Sequence, residues 1–117
     1  MEKNYTDITK RISGDLKKLR NDIPETMQAF SALAKAATRD GALDKKTKEL
    51  IALAIGVSTR CDDCIAFHAK AAVDHGATRD EVMETLGMAI YMGAGPSAMY
   101  ASHALAAFNQ FSAAKAG

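Results

Sequence analysis

Apolar side chains recur along this chain every three to four positions and almost nowhere at every second one. That spacing predicts helices throughout, because residues i, i+3, i+4 and i+7 share one helical face whereas a strand buries alternate residues. Ile8, Ile12, Leu16, Leu19 and Ile23 mark the stripe of a first helix from about Thr6 to Asn21, with lysines and arginines opposite. Pro24 suits the first turn of a second helix, which carries Met27, Phe30, Leu33 and Ala37 on one face and ends at Arg39-Asp40-Gly41. Asp44 is placed to cap a third helix that runs through about Val57. Its second half, Leu50 to Ile55, is apolar all round, which predicts the central and most buried helix. After the break at Ser58-Thr59-Arg60, a fourth helix starts near Cys61 or Asp62 and ends at His75-Gly76. Thr78 and Glu81 form the capping box of a fifth, with Val82, Leu86, Ala89 and Ile90 as its buried stripe. Gly93-Ala94-Gly95 stops it, and Pro96 opens a sixth to about Ala113. The expected fold is therefore all-α, one structural domain of about six helices. Residues 1–23 supply an N-terminal helix and 24–117 the rest of the helical domain.

Composition adds two constraints. With 117 residues, 48% apolar and 25% charged, the chain has the makeup of an ordinary globular domain. Fifteen basic and 14 acidic residues leave a net charge of +1 with no basic block, so nucleic acid is a poor partner. The start Met1-Glu2-Lys3-Asn4-Tyr5 has no apolar segment of the signal-peptide kind, and the run Leu50 to Val57 is too short to span a bilayer. A cytoplasmic protein without a membrane association is the expectation. Aromatics make up only 6% and alanine is abundant, so each packed position removes little area from water. A core that thin predicts further burial in an oligomer.

Chemistry concentrates in Cys61-Asp62-Asp63-Cys64-Ile65-Ala66-Phe67-His68. On a helix, positions 61, 64 and 68 share one face, which puts two thiols and an imidazole on a single stripe. A helix N-terminus favours thiolate over thiol, and a C-x-x-C pair in a reducing compartment is usually catalytic or metal-binding rather than structural. Cys61, Cys64 and His68 supply three of the ligands zinc needs, with Glu49, His75 or His103 as a fourth, but no second ligand pair follows at short spacing. The redox reading is therefore preferred to a metal site or to plain packing, and no metal or cofactor is expected. His68 lies one turn beyond Cys64 and can exchange a proton with it. Glu49, at the start of the apolar stretch, either faces solvent or points inward, and if inward it needs a partner such as His68. His75 is expected as a helix C-terminal cap. His103, among alanines and Leu105, reads first as a core histidine, and Met83, Met88, Met92 and Met99 as core filler. Asp62 and Asp63 suit a helix N-terminus but set negative charge beside the thiols, which opposes thiolate formation.

Glu49, eleven residues, then Cys61, Cys64 and His68 resembles the pattern of AhpD-like alkylhydroperoxidases within the carboxymuconolactone decarboxylase family. The Leu50 to Gly56 helix, the Gly76-Ala77-Thr78 turn and Gly93-Ala94-Gly95-Pro96 extend the similarity over about residues 24 to 108. The best-known members carry a histidine just before the second cysteine, where this chain has Asp63, and decarboxylase members generally lack the C-x-x-C pair. The resemblance implies an AhpD-like helical fold assembled as a homotrimer or homohexamer. It implies a peroxidase in which Cys64 attacks a hydroperoxide, Cys61 resolves, and Glu49 and His68 relay protons. It also implies a dithiol reductant, lipoyl-type or thioredoxin-like. A general thiol–disulfide oxidoreductase needs only the dithiol, and a non-enzymatic redox sensor needs only its oxidation; both remain alternatives.

Overall fold

The computed structural model describes residues 2–117 and, among them, only helices and their connections. There are five: α1 (Tyr5–Asp22), α2 (Pro24–Thr38), α3 (Lys45–Ser58), α4 (Asp62–Asp74) and α5 (Arg79–Ala116). Four of them, all but α2, begin at a residue whose side chain satisfies a free amide at the helix start. Asn4 accepts from the Asp7 amide at 3.0 Å and Asp44 from the Thr47 amide at 2.8 Å. Pro24 occupies the first turn of α2. Thr78 and Glu81 close a reciprocal capping box, with the Glu81 amide donating to Thr78 Oγ1 at 3.1 Å and the Thr78 amide to Glu81 Oε1 at 2.8 Å.

The fifth and sixth helices expected from the pattern are the two limbs of α5. Ala94, at φ 54° and ψ −136°, interrupts the helical dihedrals between them, and Pro96 opens the second limb. That backbone conformation is one glycine adopts freely and alanine does not.

The core lies where α3, α4 and both limbs of α5 meet. Leu53 and Val57 from α3, Ile65, Ala66 and Ala69 from α4, and Val82, Leu86, Ala104 and Phe108 from α5 are buried together, with Tyr5 closing the cluster from the start of α1. Small residues dominate the contacts of α4 and the second limb of α5, so these helices pack closely on few side-chain atoms.

Three expectations change at this level. The apolar run of α3 is not buried all round: Leu53 and Val57 face the core, while Ile51 and Ile55 are exposed. On α2 only Met27 is buried, and Phe30 and Leu33 are 60% and 63% exposed. On α5, Met83, Met88, Met92 and Met99 are exposed rather than filling the core, as is Ile90 of the stripe expected to be buried, alongside Tyr91 at 78%. The physical reason is common to all three. Five helices do not supply enough neighbours to cover every apolar face of one another. The radius of gyration, 14.4 Å, is slightly above the roughly 13 Å expected for a tightly packed chain of this length. Among the described residues no helix is long and apolar enough to cross a membrane.

Candidate active site

The turn from α3 into α4 builds the site. Cys61 N–H donates to Gly56 O at 3.0 Å and Arg60 N–H to Val57 O at 3.1 Å, a pairing that terminates α3 with Arg60 in the left-handed conformation at φ 57°. The same pairing ends α4, where Ala77 and Gly76 donate to Ala72 O and Val73 O. There the left-handed residue is Gly76, at φ 80°. A glycine takes that position without steric cost; Arg60 does not. The sharp reversal leaves no spacer between helices, so Cys61 becomes the N-cap of α4 directly after the turn.

Cys61 and Cys64 are joined by a disulfide, with Cα atoms 5.2 Å apart. The Cys64 amide also donates to Cys61 Sγ at 3.2 Å. Thus the first sulfur sits at the capping position, where the helix presents free N–H groups and the positive end of its dipole. Beneath it, α3 and α4 cross closely at Gly56. A Cβ on that residue would stand 3.3 Å from Cys64 Cβ, so the absence of a side chain lets the disulfide helix settle onto α3.

His68, one turn after Cys64 on α4, faces Glu49 on α3. Its Nδ1 lies 3.3 Å from Glu49 Oε2, and Glu49 is only 4% exposed. Of the two orientations open to Glu49, the structure therefore has the inward one. A carboxylate buried this far is tolerable only when paired, and His68 provides the partner across the α3–α4 contact. When Nδ1–H donates to the carboxylate, the lone pair is on Nε2, the arrangement suited to accepting a proton. The four residues singled out by the motif thus form two pairs on α3 and α4, Cys61 with Cys64 at the start of α4 and Glu49 with His68 across the contact of the two helices.

A second polar cluster, not anticipated from the motif, flanks the start of α4. His103 Nδ1 on α5 lies 3.1 Å from Asp62 Oδ1, and Lys3 forms an ion pair with Asp62 Oδ2. The Tyr5 hydroxyl reaches Asp62 Oδ1 at 3.4 Å, and Tyr100 packs its ring 4.7 Å from that of His103. Gln110 ties the N-terminal residues down: Tyr5 N–H donates to its Oε1 at 2.8 Å, and its Nε2 donates to Lys3 O at 2.7 Å. Arg11 pairs with Asp63 Oδ1 at 3.2 Å. Burial alone would push the Asp62 carboxyl up, but the hydrogen bonds from Lys3 and His103 outweigh it and hold the group below the usual carboxylate range. Burial, then Asp62, pushes the Tyr5 phenol well above its ordinary value. His103 is therefore not a core histidine: it belongs to this cluster beside Cys61. The signal in the sequence was the pair of adjacent acids between the cysteines, whose charge demanded partners that no local pattern names. His75, by contrast, is the exposed C-cap of α4, as expected. Among the described residues no group of three or more His, Cys, Asp or Glu side chains is arranged to hold a metal ion.

Known proteins share this architecture. Residues 24–107 match the carboxymuconolactone decarboxylase family. An uncharacterised protein of Cupriavidus necator is 51% identical over 90 residues, 77% of this chain and 80% of its own. The crystal structure of apo-lpg0406, a carboxymuconolactone decarboxylase family protein from Legionella pneumophila, superposes with a TM-score of 0.91 at 58% identity, covering 92% of this chain and 96% of that one. A family protein from Thermotoga maritima, suggested to take part in an antioxidative response, superposes at 0.72 with 28% identity, over 87% and 93% of the two chains. With the match spanning residues 24–107 and the relatives covered over 80% or more of their lengths, the chain belongs to the carboxymuconolactone decarboxylase family.

Proposed function

We propose that this protein is a thiol-dependent hydroperoxidase, turning over through the Cys61–Cys64 couple. The observation that carries the reading is the buried Glu49 paired to His68, one turn beyond a cysteine already engaged in a disulfide. A dithiol that only exchanges disulfides has no need of a buried carboxylate–imidazole pair; a peroxide reaction does, because the departing oxygen must take up a proton. In the cycle, His68, which Glu49 orients, takes the proton of the Cys64 thiol, the thiolate attacks the terminal peroxide oxygen, the O–O bond breaks, and the alcohol or water leaves with that proton returned by His68. Cys64 is then a sulfenic acid. The Cys61 thiolate attacks that sulfur, hydroxide leaves as water on protonation, and the observed disulfide results. A dithiol reductant, of lipoyl or thioredoxin-like type, reopens it by exchange. The antioxidative role suggested for the Thermotoga maritima relative supports the reading.

One observation favours a second reading. Cys61, not Cys64, holds the capping position and accepts the Cys64 amide. Helix-end stabilisation of a thiolate therefore favours Cys61, the arrangement of a thiol–disulfide oxidoreductase whose first cysteine attacks. Purified protein assayed for peroxide consumption and for disulfide reduction, each with a dithiol donor, separates the two. Peroxide turnover lost in Cys64→Ser and slowed in His68→Gln supports the peroxidase; disulfide reduction without peroxide turnover replaces it with the oxidoreductase. The exposed apolar faces of α2, α3 and α5 also support assembly as a homotrimer or homohexamer.

A further inference from the structure

The residues between the cysteines are both acidic, and each is met by basic side chains from elsewhere in the chain. Asp62 takes Lys3 from the N-terminal segment and His103 from α5; Asp63 takes Arg11 from α1. Lys3 and Arg11 precede residue 24, where the match to the family begins. The two carboxylates differ in shelter. The Asp62 side chain is 22% exposed, whereas Asp63 and Arg11 are 42% and 58% exposed and screened by solvent. The Asp62 cluster is also the one secured by buried Tyr5 and by Gln110.

An uncompensated carboxylate next to Cys61 raises the energy of a thiolate at either sulfur and so lowers the fraction of reactive thiol. We propose that Lys3 and His103 are positioning residues that set the thiolate content of the reduced Cys61–Cys64 pair, by cancelling the charge of Asp62 and holding its carboxylate turned toward them. The charged and titratable groups facing His103 are Asp62 on α4, Lys3 and Glu2 of the N-terminal segment, Tyr5 on α1, and Tyr100 on its own helix; Glu2, Lys3, Tyr5 and His103 share one cleft of about 300 Å³ with Ser102 and Ala106. Neither Lys3 nor His103 is assigned contact with the peroxide. Their effect is electrostatic. The N-terminal segment thus acts as a tuning strap for the redox helix. The inference rests on the cysteines being a redox couple, and not on the identity of the oxidant.

The test is made on the full chain, reduced and freed of reductant, by the rate of iodoacetamide alkylation and by ultraviolet thiolate absorbance across neutral pH. Lys3→Gln and His103→Gln are each expected to lower the thiolate fraction about two- to fivefold, the scale of one neighbouring charge at a half-exposed site. Arg11→Gln has a smaller effect. Asp62→Asn raises the fraction, and in that background Lys3→Gln changes nothing further. His103→Lys places a cation beside Asp62 and restores the wild-type value, which a merely structural role for the ring would not do. The proposal is overturned if the Lys3→Gln, His103→Gln double variant titrates like wild type, if His103→Lys behaves like His103→Gln, or if the Lys3 effect survives in Asp62→Asn. These readouts involve no peroxide, so loss of the peroxidase reading leaves them standing. A Cys61–Cys64 bond that dithiols fail to reduce ends both.

Discussion

Cys64, Cys61, His68 and Glu49 carry distinct burdens in the proposed cycle, and single substitutions separate them. Cys64→Ser is expected to abolish peroxide consumption. Cys61→Ser retains one stoichiometric attack and leaves a sulfenic acid that a dimedone-type probe labels. His68→Gln and Glu49→Gln each slow the reaction by about 10²-fold or more, because proton delivery is impaired while the nucleophile remains. Labelling of Cys64→Ser instead of Cys61→Ser, read by mass spectrometry, reverses the roles of the two cysteines. Asp62 sets a pH dependence of a different kind. Its folded-state value lies below the ordinary carboxylate value, so its contribution to stability is full above about pH 4 and lost as pH falls through the lower folded-state value. Lys3 is the mirror case: hydrogen-bonded to Asp62, its value is raised, and its contribution is lost only as strongly alkaline pH passes that value. Urea unfolding of Asp62→Asn should therefore show a smaller stability difference between pH 6 and pH 3 than wild type shows. An equal difference assigns the acid sensitivity to other carboxylates.

At the scale of elements, two helix junctions hold non-glycine residues at positive φ, Arg60 before the disulfide and Ala94 within α5. Ala94→Gly removes a steric penalty of roughly 1–3 kcal/mol and gives back part of it through the greater freedom of glycine in the unfolded chain. A net gain of about 1 kcal/mol is expected, read as a higher denaturant midpoint at unchanged slope. An unchanged or lower midpoint means that the limb junction relaxes away from this conformation in solution. The capping box of α5 gives a change of opposite sign. Thr78→Ala should cost about 1 kcal/mol, since Thr78 satisfies the Glu81 amide. Elements were the most legible feature of the chain. Caps at Asp44 and Thr78, Pro24, and the glycine at 76 act within four residues, and local chemistry of that range can be read without any knowledge of the fold.

For the molecule as a whole, the exposed faces matter most. Phe30 and Leu33 on α2, Ile51 and Ile55 on α3, and Met88, Tyr91, Met92 and Met99 on α5 are large apolar side chains left in water by the protomer. An open groove lined by Leu50, Ile51, Ala54, Ile55 and Met88 runs between α3 and α5. Sedimentation at micromolar concentration should give a species larger than the 12.5 kDa chain. Ile55→Asp should shift that species toward the protomer while leaving helix content unchanged, because Ile55 contributes nothing to the protomer's own core. A wild-type protein that sediments as a single chain refutes the assembly.

The sequence by itself determined the helices, most of their ends, and the identity of the chemical groups: the dithiol, the histidine one turn on, and the carboxylate twelve positions earlier. Helix periodicity and capping are local, and the C-x-x-C spacing is a property of one turn, so no long-range information was required. Direction was another matter. Whether Glu49 faced water or His68 depended on how α3 crosses α4 at Gly56, and sequence periodicity leaves that angle open. His103 lies 41 residues from Asp62 and Lys3 lies 59, so their meeting is fixed only when α5 and the N-terminal segment fold back onto the start of α4. The misread faces have the same origin. An apolar stripe states that a surface must be covered, as on α2 and α3; which neighbour covers it, or whether the protomer has none to offer, is decided by tertiary packing alone.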